Sequence, residues 1–108
     1  MDAFDLGIDL GSRVTNIEGE AITWTYDATP GVVDVLVMNS AGFLYAGYAL
    51  RDCLKAAPLP YLEVHMTNIE RREMKSVTAT QSIGMISGLR INSYRHVLCA
   101  VKDIGLQT

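Results

Sequence analysis

Only two cysteines, three prolines and one tryptophan occur among the 108 residues. Cys53 and Cys99 have no CxxC or Cys/His spacing near them, which argues against a disulfide framework and a zinc site. We therefore expect both cysteines to be buried thiols, because free cysteine is among the residue types most often found in cores.

Long apolar runs and clustered positive charge are also lacking. No run approaches the ~20 apolar residues needed to cross a bilayer, so a membrane-spanning role is not expected. Nine Lys and Arg are scattered among twelve Asp and Glu, giving a net charge of -3 and no cationic stripe for nucleic acid. The start, Met1–Asp5, is acidic where a secretory signal is basic, which predicts a cytoplasmic protein.

The composition is that of an ordinary globular protein, with 49% hydrophobic and 19% charged residues. A chain of this length forms one core, so a single domain over residues 1–108 is predicted. Short β-branched runs alternate with helical periodicity, the pattern of an α/β fold with a parallel sheet.

The individual helices and strands are predicted from the spacing of apolar residues, and their ends from Gly, Pro and Asn, which commonly terminate such elements. We expect strands at residues 10–15 (weak), 32–38, 61–66 and 83–89, and helices from about 18 to 29, 48 to 57 and 92 to 104. Asn92 or Ser93 is expected to cap the last helix, with Gly105 just past its end. Close backbone packing is expected at the glycines of the last strand.

Polar side chains that stand at strand ends are the candidates for chemistry. In an open parallel sheet the carboxyl ends of the strands meet at one edge, where ligands bind. Asn39, His65, Thr67 and Asn68 all fall on that edge. An amide and an imidazole there can hold a polar substrate and transfer a proton, although Asn and His at strand ends are also common structural hydrogen-bonding groups.

The loop from Thr67 to Ser82 has no clear period and carries Arg71, Arg72 and Lys75. This basic cluster is either a receptor for a substrate carboxylate or a solvated loop surface. His96 lies off the apolar stripe of the last helix, and we expect it to be solvated. The segment from Gly42 to Gly47 lacks the glycine spacing of a phosphate-binding loop, so no nucleotide site is predicted.

Taken together, these residues resemble the type II 3-dehydroquinate dehydratases. The string Leu62–Ile69 followed by Arg72-Glu73 is similar to the family's EVH-hydrophobe-S/T-N-I and R-E motif. Asn39 and the later Ala49–Asp52 resemble the family's asparagine loop and the helix behind it. Further segments agree in order and spacing: Asn16–Glu20 with Trp24, Ser76–Ala79, and Gly84–Leu89.

The resemblance implies a flavodoxin-like parallel sheet with flanking helices, assembled as trimers into a homo-oligomeric dodecamer. It implies a lyase of the shikimate and quinate pathways, serving aromatic amino acid biosynthesis or quinate catabolism. The reaction removes water from 3-dehydroquinate, or a similar cyclic hydroxy acid, through an enolate. No metal or cofactor is implied.

Residue roles also follow from the resemblance. Asn39 is expected to hold the water that stabilises the enolate, and His65 is expected to protonate the departing hydroxyl. Thr67, with the backbone of Met66, is expected to hold the substrate carboxylate.

Three departures from the family pattern affect the expected activity. The chain begins after the strand and lid that carry the family's tyrosine base and its arginine, so no residue inherits the base. Tyr45 stands where the family has a second, substrate-binding histidine, and a shortened loop leaves Lys75 in place of a substrate-binding arginine. Impaired dehydratase activity is therefore expected, with Tyr45 as a possible substitute base.

The first and central strand of the family sheet is also expected to be missing. Three alternatives would replace this strand: the predicted strand at 10–15, an edge strand donated by a second subunit, or a segment of a longer gene product. Two rival functions stay open: a non-catalytic assembly or interaction module with the same fold, and a different lyase or isomerase that uses Tyr45 and His65.

Overall fold

A computed structural model describes residues 7–45 and 47–106 of the chain. Within them, helices and strands alternate along the sequence, as the patterning predicts. The elements are α1 (Glu18–Asp27), β1 (Leu36–Met38), α2 (Tyr48–Ala56), β2 (Tyr61–His65), β3 (Gly84–Ser87) and α3 (Asn92–Leu106), with 3-10 turns at Ala41–Leu44 and Thr78–Gln81. None of the helices in these ranges is both long enough and apolar enough to pass through a membrane.

The strands form a parallel sheet in the order β1-β2-β3, which confirms the α/β class. Leu36 lies beside Tyr61 at the start of the first pair, and His65 lies beside Ser87 at the end of the second. All five residues of β2 are buried, as expected for a central strand covered on both faces.

The two faces of β2 have different neighbours, because side chains alternate along a strand. Leu62 and Val64 pack with Val97 of α3 in one apolar cluster. Tyr61 packs on the other face with Ala21 of α1 and the two buried leucines of α2. Glu63 and His65 share the face of Tyr61, so this face changes from apolar to polar toward the carboxyl end of the strand.

Helices α1 and α2 are joined by a carboxylate as well as by apolar contact. Glu18 Oε2 accepts a hydrogen bond from the backbone N–H of Leu50, at 3.3 Å, in the first turn of α2. The first N–H groups of a helix have no partner within it, and a negative charge there is stabilising. Glu18 thereby fixes α2, and with it the loop that precedes α2, against the rest of the fold.

The predicted strand at residues 10–15 is wrong, because these residues form no strand and pair with no other element of the described chain. Leu10 and Val14 are exposed, Val14 to 92%. Thr15 Oγ1 instead accepts the N–H of Ile17 at 3.0 Å, a local side-chain bond that competes with strand pairing and leads into α1.

The predicted strand at 32–38 is correct only in its last three residues. The N–H groups of Val32 and Val33 both donate to the carbonyl of Thr29, at 3.0 Å, and this turn takes them out of the sheet.

The last helix is confirmed, but it runs to Leu106 and so includes Gly105. The Ser93 hydroxyl accepts the N–H of Leu89 at 3.0 Å, which ties the helix start to the end of β3.

Gly88 follows β3 where the backbones after β2 and β3 come together. Its φ is +88°, a left-handed conformation that side chains disfavour. A Cβ built there would lie 3.1 Å from Cβ of Asn68. The close backbone packing expected at this glycine is therefore confirmed.

Replacing Gly88 with alanine is expected to lower the free energy of unfolding by about 1–3 kcal/mol, because the left-handed conformation and the contact with Asn68 both disfavour a Cβ. Thermal unfolding followed by circular dichroism measures the change. Gly19→Ala is the control, since Gly19 lies in α1 with open space around it and alanine should leave stability unchanged or raise it by up to about 1 kcal/mol. Equal effects from the two changes would contradict this account.

Candidate active site

A cleft of about 280 Å³ opens at the carboxyl edge of the sheet, beyond β1 and β2. Its walls come from the segment after β1, the end of β2 and the loop after β2. The lining residues are Asn39, Ala41, Gly42, Tyr45, His65, Met66, Thr67, Ile69 and Arg72. The structure thus brings together Asn39, His65 and Thr67, which were expected at this edge from their strand-end positions, and Met66 and Tyr45, which the family resemblance implies.

Asn39 is held by both ends of its side-chain amide. Its Oδ1 accepts the backbone N–H of Ala41 at 3.0 Å, and its Nδ2 donates to the hydroxyl of Tyr94 on α3 at 2.9 Å. An amide nitrogen carries two protons, so Asn39, which lines the cleft, keeps one N–H for another partner.

The centre of the site is Glu63, a carboxylate with no exposed surface. Tyr61 donates its hydroxyl proton to Oε1 at 2.5 Å, and the buried hydroxyl of Thr78 donates to the same oxygen. Ser76 Oγ lies 3.0 Å from Thr78 Oγ1 and extends this group of hydroxyls. The other carboxylate oxygen, Oε2, lies 2.8 Å from Nε2 of His65.

These contacts set the ionisation of the group. Burial alone would raise the pKa of Glu63, but hydrogen bonds from His65, Thr78 and Tyr61, with the hydroxyl of Ser76 nearby, outweigh it and hold the pKa below its usual range. Burial, followed by the charge of Glu63 and the hydrogen bond to it, raises the pKa of the Tyr61 hydroxyl far above its ordinary value. Glu63 is therefore the charged partner and Tyr61 stays a neutral donor.

The charge on Glu63 fixes the histidine. An ionised carboxylate can only accept, so Nε2 of His65 carries a proton and donates it to Oε2. The ring is 4% exposed and lines the cleft, which leaves Nδ1 as the nitrogen that serves a ligand. The hydrogen bond from Nε2 to the buried carboxylate of Glu63 thus orients the His65 ring, an arrangement that is common for catalytic histidines.

Thr67 and Arg72 form a second polar pair on the cleft wall. Nη1 of Arg72 donates to the hydroxyl oxygen of Thr67 at 2.9 Å. The carbonyl of Met66 accepts the N–H of Arg90 at 2.8 Å, and this bond holds the end of β2 in place. Asn68, in contrast, accepts the N–H of Glu70 at 3.1 Å and closes its own turn.

Two predicted site residues occupy less central positions. The Tyr45 side chain is 60% exposed and its hydroxyl lies 3.6 Å from the sulfur of Met74. Lys75 is exposed and is not among the residues that line the cleft, whereas Arg72 is. His96 is exposed on α3, as predicted. Cys53 is a buried free thiol, as predicted, but Cys99 is only half-buried, so the prediction that both thiols are buried is wrong for Cys99.

Glu63, Thr78 and Tyr94 do not stand out in the sequence as partners in the site, and Arg72 stands out only as one member of a basic loop cluster. One signal was present: Tyr61, Glu63 and His65 alternate along a strand and must share a face. Because Tyr61 places this face in the core, the charged Glu63 on the same face needs hydrogen-bond donors. His65, two positions further along the strand, is the nearest donor in the sequence. Thr78 and Tyr94 come from distant parts of the chain and left no comparable signal.

The fold and the site define a small parallel α/β protein whose sheet edge carries a carboxylate-bound histidine beside an amide and a hydroxyl. The profile of the family described as Dehydroquinase class II matches residues 1–102. This chain therefore belongs to the class II dehydroquinase family.

Curated relatives named 3-dehydroquinate dehydratase support the assignment. The protein from Caldicellulosiruptor bescii is 38% identical over 105 residues, covering 94% of this chain and 72% of the relative. That from Desulforudis audaxviator is 43% identical over 95 residues, covering 85% of this chain and 63% of the relative. The chain thus spans about two thirds of the length of these relatives.

Solved structures show the same fold. The type II dehydroquinase from Propionibacterium acnes superposes with a TM-score of 0.86 at 28% identity, covering 94% of this chain and 76% of that one. A 3-dehydroquinate dehydratase-like protein from Bifidobacterium longum superposes with a TM-score of 0.73 at 32% identity.

The buried carboxylate makes stability depend on pH. A folded-state pKa below the unfolded value of about 4.3 means that Glu63 stabilises the fold above that pH, and that this stability is lost as the pH falls through the folded value. Glu63→Gln should lower the free energy of unfolding by about 2–4 kcal/mol at pH 7 and flatten its dependence on acid pH. Urea unfolding from pH 3 to pH 7 measures both effects.

The matched control is Glu70→Gln, because Glu70 is exposed and should change neither the stability nor its acid dependence appreciably. An E63Q variant as stable as the parent protein at neutral pH would show that the Glu63 network does not hold the site together.

Proposed function

We propose that this chain provides the acid side of a 3-dehydroquinate dehydratase site, with His65 as the general acid and Asn39 as the holder of an enolate-stabilising water. The observation that carries this proposal is the buried Glu63–His65 pair opening onto the cleft beside Asn39 and Thr67. Family membership and relatives named 3-dehydroquinate dehydratase support it.

The chemistry of the substrate fits the spacing of the residues. In 3-dehydroquinate the departing hydroxyl and the carboxylate are on the same carbon. An acid for that hydroxyl and a receptor for that carboxylate must therefore be close neighbours. His65 and Thr67 are two residues apart at the end of one strand and both line the cleft.

The elimination needs a base for the proton next to the ketone, an electron sink and an acid. Removing the proton gives an enolate, whose charge a water held by the free N–H of Asn39 stabilises. The enolate then collapses to form the carbon–carbon double bond as the carbon–oxygen bond breaks. Protonated His65 donates from Nδ1 to the departing hydroxyl, which leaves as water, while Glu63 stabilises the charged ring.

We assign the base to no described residue. Tyr45 is the one tyrosine on the described lining of the cleft, but its hydroxyl is directed to the sulfur of Met74. The homo-oligomeric assembly implied by the resemblance and the cytoplasmic location predicted from the acidic start stay predictions.

The direct test is the ultraviolet absorbance of the conjugated enone formed when the folded chain is mixed with 3-dehydroquinate. We expect slow formation of 3-dehydroshikimate, and a further loss of about 10²–10⁴-fold in kcat/KM in His65→Ala, because a positioned general acid contributes about that factor. His96→Ala is the matched control, since the other histidine is exposed on α3 and should leave the rate unchanged.

Absence of product from a chain shown to be folded would contradict the proposal. The non-catalytic assembly or interaction module would then be the better account of the chain. Product formation that His65→Ala does not reduce would keep the activity but remove His65 from it.

A further inference from the structure

Tyr94, in the first turn of α3, connects that helix to a residue of the cleft. Its hydroxyl oxygen accepts an N–H of the Asn39 side-chain amide at 2.9 Å, although 55 positions separate the two residues in the sequence. Its ring packs against the apolar cluster of Leu62, Val64 and Val97. The hydroxyl therefore lies at the end of a ring that the core holds in place.

The start of α3 is fixed as well. The buried hydroxyl of Ser93 accepts the N–H of Leu89 at 3.0 Å, which ties the helix to the end of β3. The N–H of Tyr94 donates to the carbonyl of Ile91 at 3.2 Å. The position of the Tyr94 hydroxyl is thus set by the fold before any ligand binds.

The orientation of the Asn39 amide follows from its two partners. Its Oδ1 accepts the backbone N–H of Ala41 at 3.0 Å. A backbone N–H can only donate, so an amide turned by 180° would place two donors against each other. The amide nitrogen therefore faces Tyr94 with one proton, and because the amide is planar the direction of its second proton is fixed too.

The bond to Ala41 also affects the wall of the cleft, which Ala41 lines. The backbone of Ala41 has a φ of +47°, a left-handed conformation that residues other than glycine rarely adopt. Such a conformation persists where surrounding contacts enforce it. The amide of Asn39 supplies one of these contacts, and Tyr94 holds that amide.

We propose that Tyr94 is a positioning residue of the cleft, which acts through Asn39 by fixing the direction of its remaining amide proton. The inference rests on the proposed function, in which that proton holds the enolate-stabilising water. Tyr94 is not among the described residues that line the cleft, and neither is any other residue of α3. The proposal thus gives the last helix a part in the site without contact with a ligand.

The first test measures the order of the Asn39 amide from ¹⁵N relaxation of its Nδ2 group, with Asn39→Ala used to assign the signal. We expect an order parameter of about 0.85 in the parent chain and below about 0.6 in Tyr94→Phe, which keeps the ring and loses only the hydroxyl. Tyr48→Phe is the matched control, since it removes an exposed hydroxyl from α2 and should leave the amide rigid. Circular dichroism checks that each variant is folded.

The second test is the enone assay on Tyr94→Phe, Asn39→Ala and the double variant. We expect Tyr94→Phe to lower kcat about 3- to 10-fold with little change in KM, because one hydrogen bond contributes about that factor. The double variant should be no slower than Asn39→Ala, because a residue that acts only through Asn39 has no further effect once that amide is removed. Tyr48→Phe should react at the parent rate.

Three results would overturn the inference. They are a flexible Asn39 amide in the parent chain, an amide that stays rigid in Tyr94→Phe, and rate losses of the two single variants that multiply in the double variant. Failure of the proposed function gives a different pattern, in which the parent chain forms no 3-dehydroshikimate while Tyr94→Phe still loosens the Asn39 amide. Tyr94 would then position Asn39 in a site without dehydratase activity.

Discussion

A carboxylate in the middle of a fully buried strand is the constraint on which the rest of this structure depends. An unpaired buried charge costs several kcal/mol, so the chain must bring donors to both oxygens of Glu63. Tyr61 and Thr78 serve one oxygen, and His65 serves the other. The turn at Thr78–Gln81 belongs to a loop without regular strands, and Glu63 is one reason why this loop lies against β2.

The same interaction connects stability to function. Tyr61 begins in the apolar cluster with α1 and α2, Glu63 follows on the same face, and His65 ends the series at the cleft. A histidine held in this way presents one defined nitrogen to a ligand, and side-chain freedom does not have to be lost on binding. Asn39, fixed by Ala41 and Tyr94, and Thr67, fixed by Arg72, follow the same principle. His65, Asn39 and Thr67 are thus each held by a hydrogen bond to another residue of the fold.

How far sequence can predict such a protein depends on where the determining contacts lie. β2 and the three helices followed from local apolar periodicity and end signals, and the sheet edge followed from the order of elements. The strand at 10–15 failed because a local bond of Thr15 competes with pairing, and the start of β1 failed because Thr29 closes a turn over Val32 and Val33. Strand formation needs a partner, and no pattern within one segment shows whether the partner is available.

The site shows the same limit. Asn39, His65 and Thr67 could be predicted because each stands at a strand end, which is a position in the sequence. Glu63 could not be predicted in this way, because a glutamate in a strand usually faces solvent and its partner Thr78 lies fifteen residues further along the chain. Arg72 and Lys75 are three residues apart in one loop, and only the fold of that loop shows which of them faces the cleft.

The most direct test of the central claim is the tautomer of His65, measured from the nitrogen chemical shifts of its imidazole ring in ¹⁵N-labelled protein. The account predicts that neutral His65 carries its proton on Nε2, held there by Glu63, and that this preference is lost in Glu63→Gln. His96, which is exposed, provides the internal reference for an unconstrained ring. A proton on Nδ1 of His65, or a tautomer mixture like that of His96, would contradict the account.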